Sequence, residues 1–333
     1  MSKIELVVVL AAGEGTRMKS KNSKVLHEIA GRSIIHNLLA AVEPLSPKNL
    51  TVVVGAHKDE VIDHLAEVAP KAKTVFQDKR NGTGGAAQLA LAEHKGDGTV
   101  LILAGDTPML TGESLKQLLA THHEGGFTAS VLTAEHPDPT GYGRIVRGDD
   151  GSLLRIVEER DADDFVKAIY EVNSGVYAFD AKKLASAIGK LTNDNSQGEL
   201  YLTDVIEILR NEGGTIAAAL IEDFIEILGV NDRVQLAESA ALLRDRINEG
   251  FMRAGVTIVD PTTTWIDATA EIANDVTIYP GTAILGSSKI ATGAVIGPRT
   301  TLESCKVLEG ANVVESNCFE ATIGAGANVG PYS

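Results

Sequence analysis

Short β-branched runs alternate with amphipathic stretches through the first half of the chain, and from Ile266 onward aliphatic residues recur every six positions. The first pattern predicts an α/β domain on a mixed, mainly parallel sheet, and the second a short parallel β-helix. A length of 333 residues, at roughly 150 per domain, accommodates both.

In order, strands are expected at Ile4–Leu10, Leu50–Val54, Lys73–Phe76 and Val100–Leu103, with helices at Ser33–Val42, Glu60–Val68 and Gly84–Glu93 between them. Such βαβ sheets bind ligands beyond the carboxyl ends of their strands. After Gly143 the pattern turns to hairpin-like pieces at Gly143–Val146, Leu153–Glu158 and Glu171–Phe179, then helical stretches near Ala181–Leu191 and Tyr201–Asn211. This predicts a second lobe on the same sheet. From Asp232 to Arg253 a connecting helix is expected, with Val234, Ala237, Ala241, Ile247 and Phe251 along its apolar face. The expected boundaries are 1–229, 230–253 and 254–333. In the tail, Ile266, Ile272, Ile278, Ile284, Ile290, Ile296, Leu302, Leu308 and Val314 mark the period, and small residues such as Thr282, Ser288 and Ala294 follow four positions later. Three hexapeptides close one coil, so about three coils are expected. The pattern breaks after Val314 with no capping helix, as in a shortened chain.

Forty-five acidic against thirty basic residues leave a net charge of −15, which disfavours a general grip on nucleic acid or anionic membrane. An anionic ligand then needs a local basic site. The apolar run Leu6–Ala12 is too short to span a bilayer and lacks a basic leader, so no membrane anchor and a cytoplasmic location are expected. Cys305 and Cys318, the only cysteines, read as reduced structural thiols, and the histidines show no metal-ligand spacing.

The local basic site lies early. A buried strand, Val7–Leu10, runs into Ala11-Ala12-Gly13-Glu14-Gly15-Thr16-Arg17-Met18, where small residues let backbone N–H groups approach phosphate oxygens. Arg17, Lys19, Lys21 and Lys24 follow with no carboxylate between Gly15 and His27. A dinucleotide loop would need glycine at Met18, and the nucleoside triphosphatase loop has a different spacing, so neither familiar motif applies.

Leu10–Met18 together with Ser23-Lys24-Val25-Leu26 resembles the signature of the sugar-1-phosphate nucleotidylyltransferases. Joined to a helix and a hexapeptide tail, the whole chain is similar to the bifunctional bacterial uridylyltransferase–acetyltransferases of that group. One departure is Ser23, where the family usually carries proline. The resemblance implies a nucleotidyltransferase, Rossmann-like front domain and a left-handed β-helix. It also implies Mg²⁺ and transfer of UMP from UTP to N-acetylglucosamine 1-phosphate, giving UDP-N-acetylglucosamine and pyrophosphate for cell-wall precursors. Arg17 and Lys24 are then the catalytic cations, and Leu10, Ala11, Ala12 and Gly13 line the nucleotide.

Val100–Ala104 followed by Gly105-Asp106 is an apolar strand ending in a carboxylate, which by itself suits either a cap or a Mg²⁺ ligand. Asn231 by itself reads as a helix N-cap. The resemblance nominates Asp106 and Asn231 as the metal ligands, with Ala104 and Gly105 beside the substrate. It places the pyrimidine against Gln77, Gly82 and Thr83, where an amide suits an imide edge. It assigns the sugar to Gly143, Glu158 and Asn173. The segment Gln197–Asp204 is expected to be structural support. In the family the acetyl-transfer residues lie further along than Ser333, so acetyl transfer is expected to be absent, and a homotrimer is expected from packing of β-helices. Rival readings are a glucose-1-phosphate uridylyl- or thymidylyltransferase, an acyltransferase with a regulatory front domain, and a catalytically silent scaffold.

Overall fold

The computed structural model describes residues 4–94 and 96–333. Two compact units are present: residues up to 27 together with 34–232, and residues 28–33 together with 233–333.

The strands and helices run β1 (Ile4–Ala11), β2 (Glu28–Ile29), β3 (Arg32–Ser33), α1 (Ile34–Val42), β4 (Leu50–Val54), α2 (Lys58–Val68), β5 (Lys73–Phe76), α3 (Gly82–Ala92), β6 (Thr99–Ala104), α4 (Gly112–Glu124), β7 (Ala129–Glu135), β8 (Arg144–Arg147), β9 (Leu153–Val157), α5 (Asp164–Lys167), β10 (Glu171–Asp180), α6 (Ala181–Ile188), α7 (Asp204–Asn211) and β11 (Ile216–Ile221). In the first unit the sheet order is β11-β7-β10-β6-β1-β4-β5, with β8 and β9 extending from β10. The half around β1 is parallel, with Val7–Ala11 beside Leu50–Val54 and Leu6–Leu10 beside Val100–Ala104. The other half is built on β10, antiparallel to both β6 and β7.

Helices cover both faces of the β1 region, which is why Val7-Val8-Val9 reads as a continuous apolar run rather than an alternation. Val7 and Val9 pack with Ile35 and Leu38 of α1 and Leu115 and Leu118 of α4, while Val8 and Ile102 face Ala87 of α3, Leu184 of α6 and Val205 of α7. The expected strands and helices are present to within a few residues. Helix α4, with Thr111 accepting from the Ser114 N–H as its cap, and strands β7 and β11 were not anticipated. Among the described residues no helix is long and apolar enough to cross a membrane.

The second unit contains the hairpin β2–β3, helix α8 (Arg233–Arg253) and a left-handed parallel β-helix. Helix α8 lays Ile247 and Phe251 against the β-helix core, and the fully buried Asn248 donates to the Pro261 and Thr264 carbonyls. Val234 and Ala237, expected on the apolar face, are exposed. The β-helix has three faces of five, four and four strands, more than four coils rather than three.

Its inward column also departs from the period of six. Ile284, Ile290, Ile296 and Leu302 are buried at six-residue steps, but the next inward residues are Val307 and Val313, followed by the partly buried Cys318, the buried Ile323 and the partly buried Val329. Leu308 and Val314 therefore stand one position past the core. The cause is a shorter corner: Gly286-Ser287-Ser288 separates two strands of one coil, whereas only Ser304-Cys305 does so in the next. Ser304 makes this tighter turn with φ of 53°. What reads as the end of the repeat is a change of step, and the coils continue.

Because Ile284 is fully buried, Ile284→Ala should destabilise the second unit by about 2–5 kcal/mol, with Thr257→Ala on its outer surface within about 0.5 kcal/mol of the parent. Denaturant unfolding of the two variants checks the assignment of inward and outward columns.

Candidate active site

A crevice of about 570 Å³ opens in the first unit where β1, β5 and β6 end, bounded on its other side by residues following β9 and within β10. Its wall begins with Leu10, Ala11, Ala12 and Gly13 and continues through Glu14, Gly15, Thr16 and Arg17. Gly15 has φ of +60°, and a Cβ there would stand 2.6 Å from Lys24 Cβ. Glycine thus lets the loop close over the residue that supplies the buried cation.

Lys24 is only 8% exposed. Its Nζ donates to Asp106 Oδ2 at 2.5 Å and to Asn231 Oδ1 at 3.1 Å, partners 82 and 207 positions away in sequence. Asp106 is delivered by β6, the Gly105 N–H donating to the Leu10 carbonyl. Asn231 is delivered by the loop before α8, pinned when the Val230 N–H donates to the Asp106 carbonyl. Asn231, read by itself as an N-cap, thus presents its amide oxygen to the same cation as Asp106. Hard divalent cations take oxygen donors, and these two oxygens already converge on one cationic atom, so the donor set fits such an ion.

Of the four cations singled out in sequence, Arg17 and Lys24 line the crevice, whereas Lys19 and Lys21 are exposed outside its lining. Arg80 joins the lining and pairs with Glu14. Gln77, Gly82 and Thr83 also line it, as do Ala104, Glu158 and Asn173. Gly105 and Gly143 do not line it; the Gly143 carbonyl accepts from the Asn173 N–H at 2.8 Å.

On the second-lobe side, Glu158 Oε1 accepts from the Thr203 hydroxyl at 3.0 Å, and Asn173 Oδ1 accepts from the Gly175 N–H at 3.1 Å. Burial pushes the Glu158 carboxyl above its ordinary value, against the Thr203 hydrogen bond. Gln197, Glu199, Leu202 and Thr203 all line the crevice. The Gln197–Asp204 segment is thus part of the wall, not only the support expected from sequence. Helix-opening polarity concealed it; the signal was a run of hydrogen-bonding side chains longer than a cap requires. The histidines lie elsewhere: His122 is held near a pKa of about 4, first by burial and then by His123, and Nδ1 sits 3.1 Å from Ser130 Oγ.

A sequence profile of the MobA-like NTP transferase domain matches residues 7–201, a span containing the glycine loop, Lys24, Gln77, Asp106, Glu158 and Asn173. Over 330 residues the chain is 52% identical to the bifunctional protein GlmU of Streptomyces coelicolor, covering 98% of this chain and 68% of that one. The namesake proteins of Paenarthrobacter aurescens and Corynebacterium diphtheriae are 48% and 47% identical, again over 98% of this chain and 67% and 69% of theirs. The chain belongs to the GlmU family. It is a nucleotidyltransferase, and it spans about two thirds of the length of these relatives.

The departure at Ser23 has a local use. Ser23 has φ of −56°, which proline also adopts, but its N–H donates to Glu60 Oε2 at 3.3 Å, a bond proline could not make. Here a hydrogen bond to α2 holds the residue before Lys24.

Behind the second-lobe wall, burial raises the Asp204 carboxyl from 3.8 to about 6, with Glu207 and Asp161 adding like charge. Between about pH 4 and 6 the folded chain keeps a proton that the unfolded chain releases, so this group's contribution to stability falls as pH rises. Asp204→Asn should raise the thermal midpoint at about pH 7.5, with the gain shrinking toward zero at about pH 4. Thermal scans across this range check the sign.

Proposed function

We propose that this chain transfers UMP from UTP to N-acetylglucosamine 1-phosphate, releasing pyrophosphate and forming UDP-N-acetylglucosamine. The observation carrying the proposal is the convergence of Lys24, Asp106 and Asn231 in a crevice that also holds a glycine loop and Arg17. Two polyanions must meet there, and a nucleophile that is already anionic needs no general base.

A phosphate oxygen of the sugar phosphate attacks the α-phosphorus of UTP in line. The new P–O bond forms as the α–β bridging bond breaks, and the electron pair leaves on pyrophosphate. Loop amides at Ala11–Gly13 bind the triphosphate, Arg17 draws its charge, and Lys24 neutralises the phosphates as they approach. Membership of the family implies a divalent metal. Asp106 and Asn231 would hold Mg²⁺, which when bound neutralises phosphate charge and keeps several waters as further ligands. Gln77, Gly82 and Thr83 take the pyrimidine.

The sugar is assigned to Glu158 and Asn173, with Gly143 behind them. Glu158 offers a carboxylate to sugar hydroxyls, and Asn173, whose oxygen accepts from the Gly175 N–H, offers an oriented amide. A cytoplasmic homotrimer belongs to the same reading. It is supported by apolar side chains exposed on the β-helix surface, Val259, Tyr279 and Phe319 among them.

Pyrophosphate release should require UTP, N-acetylglucosamine 1-phosphate and Mg²⁺ together. Equal turnover with glucose 1-phosphate would contradict the sugar assignment, and no release with any sugar phosphate would contradict the reaction. Asp106→Ala should lower release at least ~100-fold, the scale of removing a charge-stabilising group, with the fold preserved by circular dichroism. Near-normal turnover at saturating Mg²⁺ would leave Asp106 as a loop anchor only.

A further inference from the structure

We infer that Asn81 is a positioning residue for base selection: the Gly82 carbonyl sets which end of the Gln77 amide is nitrogen, and Asn81 takes up its second hydrogen and holds it there, so that only the amide oxygen faces a base and the site is an acceptor for a pyrimidine N3–H. The inference rests on the proposed use of UTP and adds to it the device by which uracil is preferred to cytosine.

The orientation of Gln77 follows from its neighbours. One end of its amide lies 3.1 Å from the Gly82 carbonyl oxygen and 2.8 Å from Asn81 Oδ1. A backbone carbonyl can only accept, so the amide atom beside it is the nitrogen, and Asn81 must in turn present oxygen. An amide nitrogen carries two hydrogens, and both are taken. Gln77 thus has no hydrogen left for a ligand and keeps Oε1, on a side chain that lines the crevice.

Asn81 is held in this role by an absence at Gly85. A Cβ on Gly85 would stand 2.0 Å from Asn81 Oδ1 and 2.4 Å from Nδ2, so the Asn81 side chain occupies space that any larger residue would fill. Gly85 lies inside α3, where glycine costs roughly 0.5–1 kcal/mol relative to alanine. Room for Asn81 accounts for glycine at this position. Asn81 also precedes the first residue of α3, yet its side chain makes no capping hydrogen bond. Its oxygen is directed to Gln77.

The chemical consequence concerns one atom of the base. Uracil carries a hydrogen on N3 and cytosine a lone pair, so a fixed acceptor facing N3 bonds the first and repels the second. A glutamine free to turn over could present its NH₂ to cytosine instead. Discrimination by a glutamine therefore needs something that prevents the turn, and Asn81 with the Gly82 carbonyl supplies it.

The test compares kcat/KM for UTP and CTP at fixed N-acetylglucosamine 1-phosphate and Mg²⁺. Asn81→Ala should lower the UTP-to-CTP ratio by ~10-fold or more, mainly through a higher KM for UTP, with KM for the sugar phosphate unchanged. Gly85→Ala, which displaces Asn81 without changing it, should do the same. Asn81→Asp, which still offers an oxygen to the Gln77 NH₂, should keep the ratio within ~3-fold of the parent. If Asn81→Ala and Gly85→Ala keep the parental ratio while Gln77→Ala abolishes it, the positioning role is overturned and base reading by Gln77 stands. If Gln77→Ala also leaves the preference intact, or the parent does not prefer UTP, the underlying assignment of the base fails instead.

Discussion

A buried ammonium cannot remain charged without compensation, and Lys24 finds it only because two remote segments bring oxygen to the same point. Strand β6 ends one glycine before Asp106, and the loop ahead of α8 is tied to the Asp106 carbonyl before it presents Asn231. The glycine loop closes over Lys24 because Gly15 has no side chain to collide with it. Strand pairing in the first unit thus fixes where charge can be stored, and the proposed chemistry uses that stored charge on phosphate.

The rest of the crevice divides its work by which hydrogen-bonding capacity is left over. Gln77 has spent both amide hydrogens and keeps an oxygen, whereas Asn173 accepts the Gly175 N–H with its oxygen and its side chain also bonds Tyr177. Glu158 has one oxygen engaged by Thr203. The hydrogen-bonding capacity each amide has left is set by its immediate neighbours, and none of those neighbours is conspicuous by residue type.

Much of the fold was legible because its central strands are buried on both faces and so appear as unbroken β-branched runs, as in Val7–Val9. Strand β11 was not, since Ala217-Ala218-Ala219 has little intrinsic preference for a strand and is extended because β7 offers a parallel edge. Helix α4 did carry a signal in the Thr111 cap and in Leu115, Leu118 and Leu119. The β-helix was recognisable by its step of six, and each shortened corner from Ser304 onward moved the following inward residues back by one further position. In the crevice, no spacing connects Lys24 to Asp106 or Asn231; only the family resemblance relates them in sequence, and folding brings them together in space. Thr203, expected only as structural support, and Asn81 each contact another crevice side chain, which residue type alone does not reveal.

The central claim is that Lys24 holds the place of phosphate and metal charge between the Asp106 and Asn231 oxygens. Anomalous scattering from Mn²⁺, in crystals grown with UDP-N-acetylglucosamine, tests it most directly. The account predicts a single peak bonded to one oxygen of Asp106 and to Asn231 Oδ1, with the Lys24 ammonium moved onto a phosphate. A peak held by phosphates and water alone, with Lys24 still paired to Asp106, would contradict it.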